Sequence, residues 1–312
     1  MKNTILGFHH ITAIAGDAQR NYDFYTKVLG LRMVKKTVNF DDPTTYHFYF
    51  GDEAGSPGTI LTFFPSAGAR PGQDGAGMAT EIGYSVPKGS LKFWKDRFEE
   101  KNIRHFQITE KFGERQLPFW DPDGLKLTLI ETAHQDDRKG YETKEITAEN
   151  VIKGFHSVTL TLNFIEETAA VLTDIFGYKK IKTEGSFHRY GIDVVENAAF
   201  VDIFILPDAY RGINSVGTNH HVAFRVKDEE SLMHMREKVL QHGLQITEKI
   251  NRDYFYSLYF REPGGVLFEI ATDNPGFATD ETLEELGTKL QLPQRYESSR
   301  AQIEKALPEL QQ

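Results

Sequence analysis

One pattern recurs four times along the chain, and a repeated supersecondary unit restricts architecture more than any single motif does. The first copy reads "GFHHITAIAGDAQRNYDFYTKVLGLRMVKKT" and closes with "TYHFYFGDEAGSPGTILTFFP". An alternating strand leads through a turn at Gly16 and Asp17 into an amphipathic helix that stops at Gly30. A further strand follows, then two aromatic-rich strands joined by a Gly/Pro turn. The second copy, "TEIGYSVPKGSLKFWKDRFEEKNI", ends in "LPFWDPDGLKLTLIE"; the third opens "GFHSVTLTLNFIEETAAVLTDIFGYKKIKTEG". The fourth runs from "NHHVAFRVKDEESLMHMREKVLQHGL" to "YFYSLYFREPGGVLFEIATD". Each copy is strand, helix, then three strands, and "DPDG" and "EPGG" mark the same tight turn before the last strand.

A lone βαβββ unit leaves the concave face of a curved sheet uncovered, so such units must pair. The expected fold is α+β, with four βαβββ modules forming two pseudo-symmetric open barrels. Modules one and two take residues 5–131, a polar linker 132–150, modules three and four 151–275, and a charged helical tail 276–312. A net charge of -9 without any basic run argues against nucleic acid and for small-molecule partners. No apolar run is long enough to span a bilayer or direct export, so no membrane partner and a cytoplasmic location are expected. The chain has no cysteine, which leaves His, Asp and Glu as its strong metal ligands.

Aligning the modules on their own strands turns the repeat into a chemical question. The residue entering the first strand is His10, Glu81, Ser157 and His221 in modules one to four. Six residues after the turn proline stand Glu269 in module four, Thr128 in module two and, counted from Pro57, Phe63 in module one. Two histidines and a carboxylate on three strands, with positions left open, suit non-haem Fe(II). Modules one and two lack that set, as do three and four, but modules one and four supply it: His10, His221 and Glu269. The first module is therefore expected to pair with the fourth, within one chain.

A single strand histidine is more often structural than ligating, but here two share one register, and Glu269 in "GGVLFEIA" is a charge among apolar residues. Because strand side chains alternate, only one member of "HH" is expected to face the site, with His9 turned away from it. His47, His105, His134, His188, His234 and His242 lack a repeated partner and read as structural or exposed; His156 aligns with His9.

These modules and their His, His, Glu set resemble the vicinal oxygen chelate superfamily, which includes glyoxalase I, extradiol dioxygenases and antibiotic-resistance proteins. The opening segment through "TILTFFP", together with "NRDYFYSLYFREPGGVLFEIATDNPGFATDE", resembles the hydroquinone-type, Mhq-like ring-cleaving dioxygenases. The resemblance implies Fe(II), with Mn(II) as the alternative, on His10, His221 and Glu269, and substrate-contacting or supporting roles for His9, Thr12, His220, Arg252 and Tyr259. It implies a small aromatic substrate and O2, and leaves a homodimer open. Two other readings stand beside it: a glyoxalase-like isomerase or lyase using the same ligands, disfavoured by Phe63 where a second Glu would be needed, and a non-enzymatic binder of aromatic compounds.

Overall fold

A computed structural model describes residues 4–312. Module one contributes β1 (Phe8–Ala15), β2 (Arg32–Val38), β3 (Tyr46–Gly51) and β4 (Ile60–Pro65), with α1 (Ala18–Asp23) after the first strand. Module two contributes β5 (Met78–Val86), α2 (Leu91–Glu100), β6 (Thr109–Lys111), β7 (Glu114–Trp120) and β8 (Lys126–Glu131). Module three is β9 (Gly154–Leu162), α3 (Glu166–Ala170), β10 (Lys179–Glu184), β11 (Phe187–Gly191) and β12 (Phe200–Ile205). Module four is β13 (Thr218–Val226), α4 (Glu229–Gln241), β14 (Ile250–Asn251), β15 (Phe255–Arg261) and β16 (Leu267–Pro275).

These strands form two eight-stranded sheets, and the pairing is nested. One runs β14-β15-β16-β13-β1-β4-β3-β2 and joins modules four and one; the other runs β10-β11-β12-β9-β5-β8-β7-β6 and joins modules three and two. In each sheet the first strands of the two modules meet antiparallel, β1 on β13 and β5 on β9, while each also runs parallel to the last strand of its own module. The expected pairing of the first module with the fourth is thus made within one chain. Residues 132–150 carry neither strand nor helix.

Beyond residue 276 the chain makes short 3₁₀ turns and one helix, α5 (Arg300–Ala306), and its contacts reach module one. Asp280 and Glu281 each lie 2.5 Å from the ammonium of the fully buried Lys35, a pairing that a buried lysine requires. The Tyr296 hydroxyl donates to the Phe40 carbonyl at 2.8 Å, fastening the loop between β2 and β3. No helix among the described residues is long and apolar enough to cross a membrane.

Candidate metal centre

The pairing of β1 with β13 places Thr12 opposite His221 and brings His10 and His221 to one concave floor. Glu269 reaches the same point because β16 lies beside β13, with Ala223 and Glu269 in register. His221 Nε2 is 2.9 Å and His10 Nε2 3.2 Å from Glu269 Oε2, and the two imidazole nitrogens are 3.3 Å apart. Ligands at right angles on metal bonds of roughly 2.1 Å sit about 3 Å apart, so this triangle fits one face of an octahedron. Glu269 is 0% exposed, and neither of its oxygens accepts a hydrogen bond of acceptable geometry. A buried carboxylate in that condition is costly, and a cation is what would satisfy it. Burial by itself would raise the Glu269 carboxyl; His10 and His221 outweigh it and hold the group well below the usual carboxylate range.

Neither histidine pair obeys strict alternation. A register shift in β1 falls between Phe8 and His10, and a second offset on β13 falls between Asn219 and His221, so each "HH" sits at a bulge. As a result the neighbours touch: His9 Nδ1 lies 2.8 Å from His10 Nδ1, and His220 Nδ1 lies 2.8 Å from His221 Nδ1. His9 therefore does not turn away; it backs His10. For His10 to offer a lone pair at Nε2, its Nδ1–H must donate to His9, which makes a further hydrogen bond to the backbone at Thr272. Burial keeps His9 well below its ordinary value and lowers His221, and with His221 as the second cause it brings His220 to about 4. These imidazoles are neutral near pH 7, the state in which they can ligate or orient a ligand.

A cavity of about 460 Å³ opens above His10 and His221. Phe40, Phe64, Phe255 and Leu267 supply apolar walls, and Thr12, His220, Arg252 and Tyr259 line it as well. Arg252 lies with its guanidinium carbon 5.3 Å from the Tyr259 ring centre, and its buried Nε has no hydrogen-bond partner. The Tyr259 hydroxyl is raised first by burial and then by Glu269, so it keeps its proton. The structure thus brings His10, Thr12, His220, His221, Arg252 and Tyr259 to this cavity, with Glu269 beside His10 and His221 and with His9 directly behind His10.

From the sequence His47 reads as structural or exposed, and nothing there singles out Thr62. His47 is a wall residue, with Nε2 2.9 Å from Thr62 Oγ1 and Nδ1 3.0 Å from the Tyr49 hydroxyl. Thr62 in turn bonds Thr12 Oγ1 at 2.8 Å, so Tyr49, His47, Thr62 and Thr12 form one chain of hydrogen bonds. The count from Pro57 also misplaced the module-one counterpart of Glu269. The parallel pairs Thr12 with Thr62 and Ala223 with Glu269, set against His10 and His221, make Thr62 the equivalent, because the module-one turn is one residue shorter. Phe63 points instead into the core, its ring centre 4.6 Å from that of Tyr25. The fourth position of the site is therefore a hydroxyl and not a carboxylate.

Residues 7–270 match the glyoxalase/bleomycin resistance protein/dioxygenase superfamily. The chain belongs to that superfamily. Within it, the chain is 46% identical over 307 residues to MhqO of Bacillus subtilis, provisionally named a ring-cleaving dioxygenase, covering 98% of this chain and 97% of that one. It is 34% identical over 303 residues to the chlorohydroquinone/hydroquinone 1,2-dioxygenase of Sphingobium indicum, covering 95% and 94%. Among superfamily members of known structure, a Bacillus subtilis protein provisionally described as a dioxygenase superposes with a TM-score of 0.95 at 45% identity, over 99% of this chain and 98% of the other.

Proposed function

We propose that the chain is a ring-cleaving dioxygenase that holds Fe(II), or Mn(II) in its place, on His10, His221 and Glu269 and opens hydroquinones with O2. The observation that carries this reading is the facial His, His, Glu triangle at the floor of a cavity with aromatic walls. The names of the relatives in Bacillus and Sphingobium support the reaction class and the substrate. The bound metal would supply the redox chemistry that couples O2 to the ring. The reaction balances with both atoms of O2 entering the hydroquinone and no other reductant. The carbon–carbon bond beside a hydroxyl-bearing carbon breaks, one end becoming an acid and the other an aldehyde.

The chain's own residues prepare the substrate. Phe40, Phe64 and Phe255 exclude water and orient a flat ring. Arg252, its Nε free, stabilises a phenolate oxygen, while the Tyr259 hydroxyl donates to the same oxygens. His220, accepting at Nδ1 from His221, presents Nε2–H as a donor on the cavity wall. Thr12 holds its hydroxyl between Thr62 and the space above His10.

The test is oxygen uptake by protein reconstituted anaerobically with Fe(II) and then given methylhydroquinone in air. Uptake of one O2 per ring opened is expected; iron-loaded protein inert toward hydroquinones and catechols alike would overturn the reading. In parallel, Glu269→Gln is expected to cost more metal affinity than the roughly 10–100-fold that loss of a supporting partner costs. Full metal retention measured by equilibrium dialysis would remove Glu269 from the site.

A further inference from the structure

A second cavity, also of about 460 Å³, adjoins the catalytic one and shares Ile14, His220 and Leu267 with it. Its distinctive lining is Arg211 and Arg261 together with Asn214. Both guanidinium groups converge on Gly265: Arg261 Nη1 donates to the Gly265 carbonyl at 2.6 Å, and Arg211 Nη2 lies 3.7 Å from where a Cβ on Gly265 would stand. Neither arginine forms an ion pair among the described residues. In a chain of net charge -9, two cations without a counter-ion in one cavity make a local well for an anion.

The loop that carries Arg211 is ordered by a backbone ladder. Ala76 N–H donates to the Tyr210 carbonyl at 2.9 Å, Gly212 N–H to Ala76 at 3.1 Å, and Gln73 and Ile213 exchange bonds of 2.9 and 2.8 Å. A side chain on Gly75 would collide with the Tyr210 carbonyl oxygen and the Gly212 backbone nitrogen, so this approach of the two loops requires glycine there.

The repeat provides an internal control. The bridges Pro71 to Val216 and Ala76 to Arg211 are symmetry mates, which makes Pro71 the counterpart of Arg211. The pairs Arg261 with Leu267 and Trp120 with Lys126 make Trp120 the counterpart of Arg261. The two arginines therefore occur only beside the barrel that holds the His, His, Glu set, which a requirement of the fold alone would not produce.

We propose that Arg211, Arg261 and Asn214 form a carboxylate-binding subsite that communicates with the catalytic cavity past His220. The choice of ligand rests on the dioxygenase reading above: cleavage beside a hydroxyl-bearing carbon turns a neutral ring into an acid, and paired guanidinium groups are the partner a carboxylate selects. The same subsite would accept the acid group of a carboxylated hydroquinone, a second source of the same chemistry.

The decisive experiment is calorimetric titration of the metal-loaded protein with cis,cis-muconate, an inert six-carbon dicarboxylate. Binding is expected to weaken at least about 10-fold in an Arg211→Gln/Arg261→Gln double variant and to recover in part in the Arg→Lys double variant. It should also weaken as salt is raised. Equal affinity in wild type and the Gln double variant, or no binding by wild type, would overturn the proposal. Two kinetic arms separate the sources. A raised inhibition constant for the ring-opened product identifies the product acid, whereas a selective loss of kcat/KM for 2,5-dihydroxybenzoate against methylhydroquinone identifies a substrate acid. Because the calorimetry needs no turnover, arginine-dependent muconate binding by a protein inert toward hydroquinones would sink the dioxygenase reading and leave the subsite standing.

Discussion

The two barrels share one design and fill their hollows in opposite ways. Where the first has His10, His221, Glu269 and Thr62, the second has Ser157, Glu81, Thr128 and Asp202. Where the first lines its cavity with Tyr49, Arg252 and Phe255, the second places Arg189, Lys111 and Glu114. Arg189 grips Asp202 through Nε and Nη2 at 2.7 and 2.9 Å and reaches Glu114 with Nη1 at 2.5 Å. His156, the counterpart of His9, bonds the other Glu114 oxygen at 3.1 Å, and Lys111 lies 3.3 Å from Glu81. Both hollows bury carboxylates, and each carboxylate needs a cation. In the second barrel the chain provides its own, as a guanidinium sandwiched 4.3 and 4.8 Å from the Phe112 and Phe200 rings. In the first it leaves that role open, and the space above it becomes a cavity.

The comparison breaks most visibly at Arg189. Arg189→Met would strand Asp202 and Glu114 in the interior, a loss of about 3–5 kcal/mol, while the metal binding proposed for the distant His, His, Glu set is expected to be unchanged. Replacing Arg189, Asp202 and Glu114 together by apolar residues of similar volume should recover most of that loss. Urea unfolding with metal analysis of the folded fraction checks both; a single variant that costs under about 1 kcal/mol would mean that the second barrel does not depend on its internal cation.

Acid should distinguish the barrels next. Burial alone would raise the Glu114 carboxyl, but the hydrogen bond from His156 and the pairing with Arg189 outweigh it and bring it down to about 2. A carboxyl depressed on folding contributes stability that is present above its unfolded pKa and is lost as the pH falls through the folded value. The window is therefore between about 4.5 and about 2, and the contribution lost is on the order of 3 kcal/mol. Asp121 works the other way. Burial, the largest influence, raises it to about 6, so its contribution is present below its unfolded value near 3.8 and is lost as the pH rises through about 6. Unfolding free energy measured from pH 7 to 2 should rise modestly and then fall, and Glu114→Gln should flatten the acid limb. An unchanged limb in that variant would place the acid-sensitive groups elsewhere.

What was legible in the sequence divides along the same physical line. Periodicity within a segment is local, so the βαβββ repeat and the shared register of His10 and His221 could be counted off the chain. The pairing of modules one and four also followed, because only that pairing gathers two histidines with Glu269. Features decided by register between distant strands could not be read. The bulges that swing His9 onto His10 and His220 onto His221 insert one residue without a mark in the sequence. The short turn that puts Thr62 and not Phe63 in the fourth position is a difference of one residue, and one residue changes the face. His47 reads as an isolated histidine until β3 lies beside β4, with Tyr49 opposite Thr62. The Arg189 network is similarly spread over β7, β9, β11 and β12.

Thr62 offers the finest test of the comparison, since its counterpart Asp202 is a carboxylate held by arginine. In the first barrel the same position is a neutral hydroxyl that links His47 to Thr12. Thr62→Val keeps the volume and removes both bonds, leaving His47 Nε2 and Thr12 Oγ1 without their partner at a cost of about 1–3 kcal/mol. Because Thr62 touches neither His10, His221 nor Glu269 through a hydrogen bond, metal content should not change. The hydroxyl of Thr12 would lose its fixed direction, and kcat should fall about 10-fold, with a smaller change in KM if the chain of bonds acts by orienting groups for the reaction and not by holding substrate. Turnover kinetics beside iron analysis decides it. A Thr62→Val protein with full kcat would make the hydroxyl chain mere filling for the wall, and the two barrels would then differ in function only at their cations.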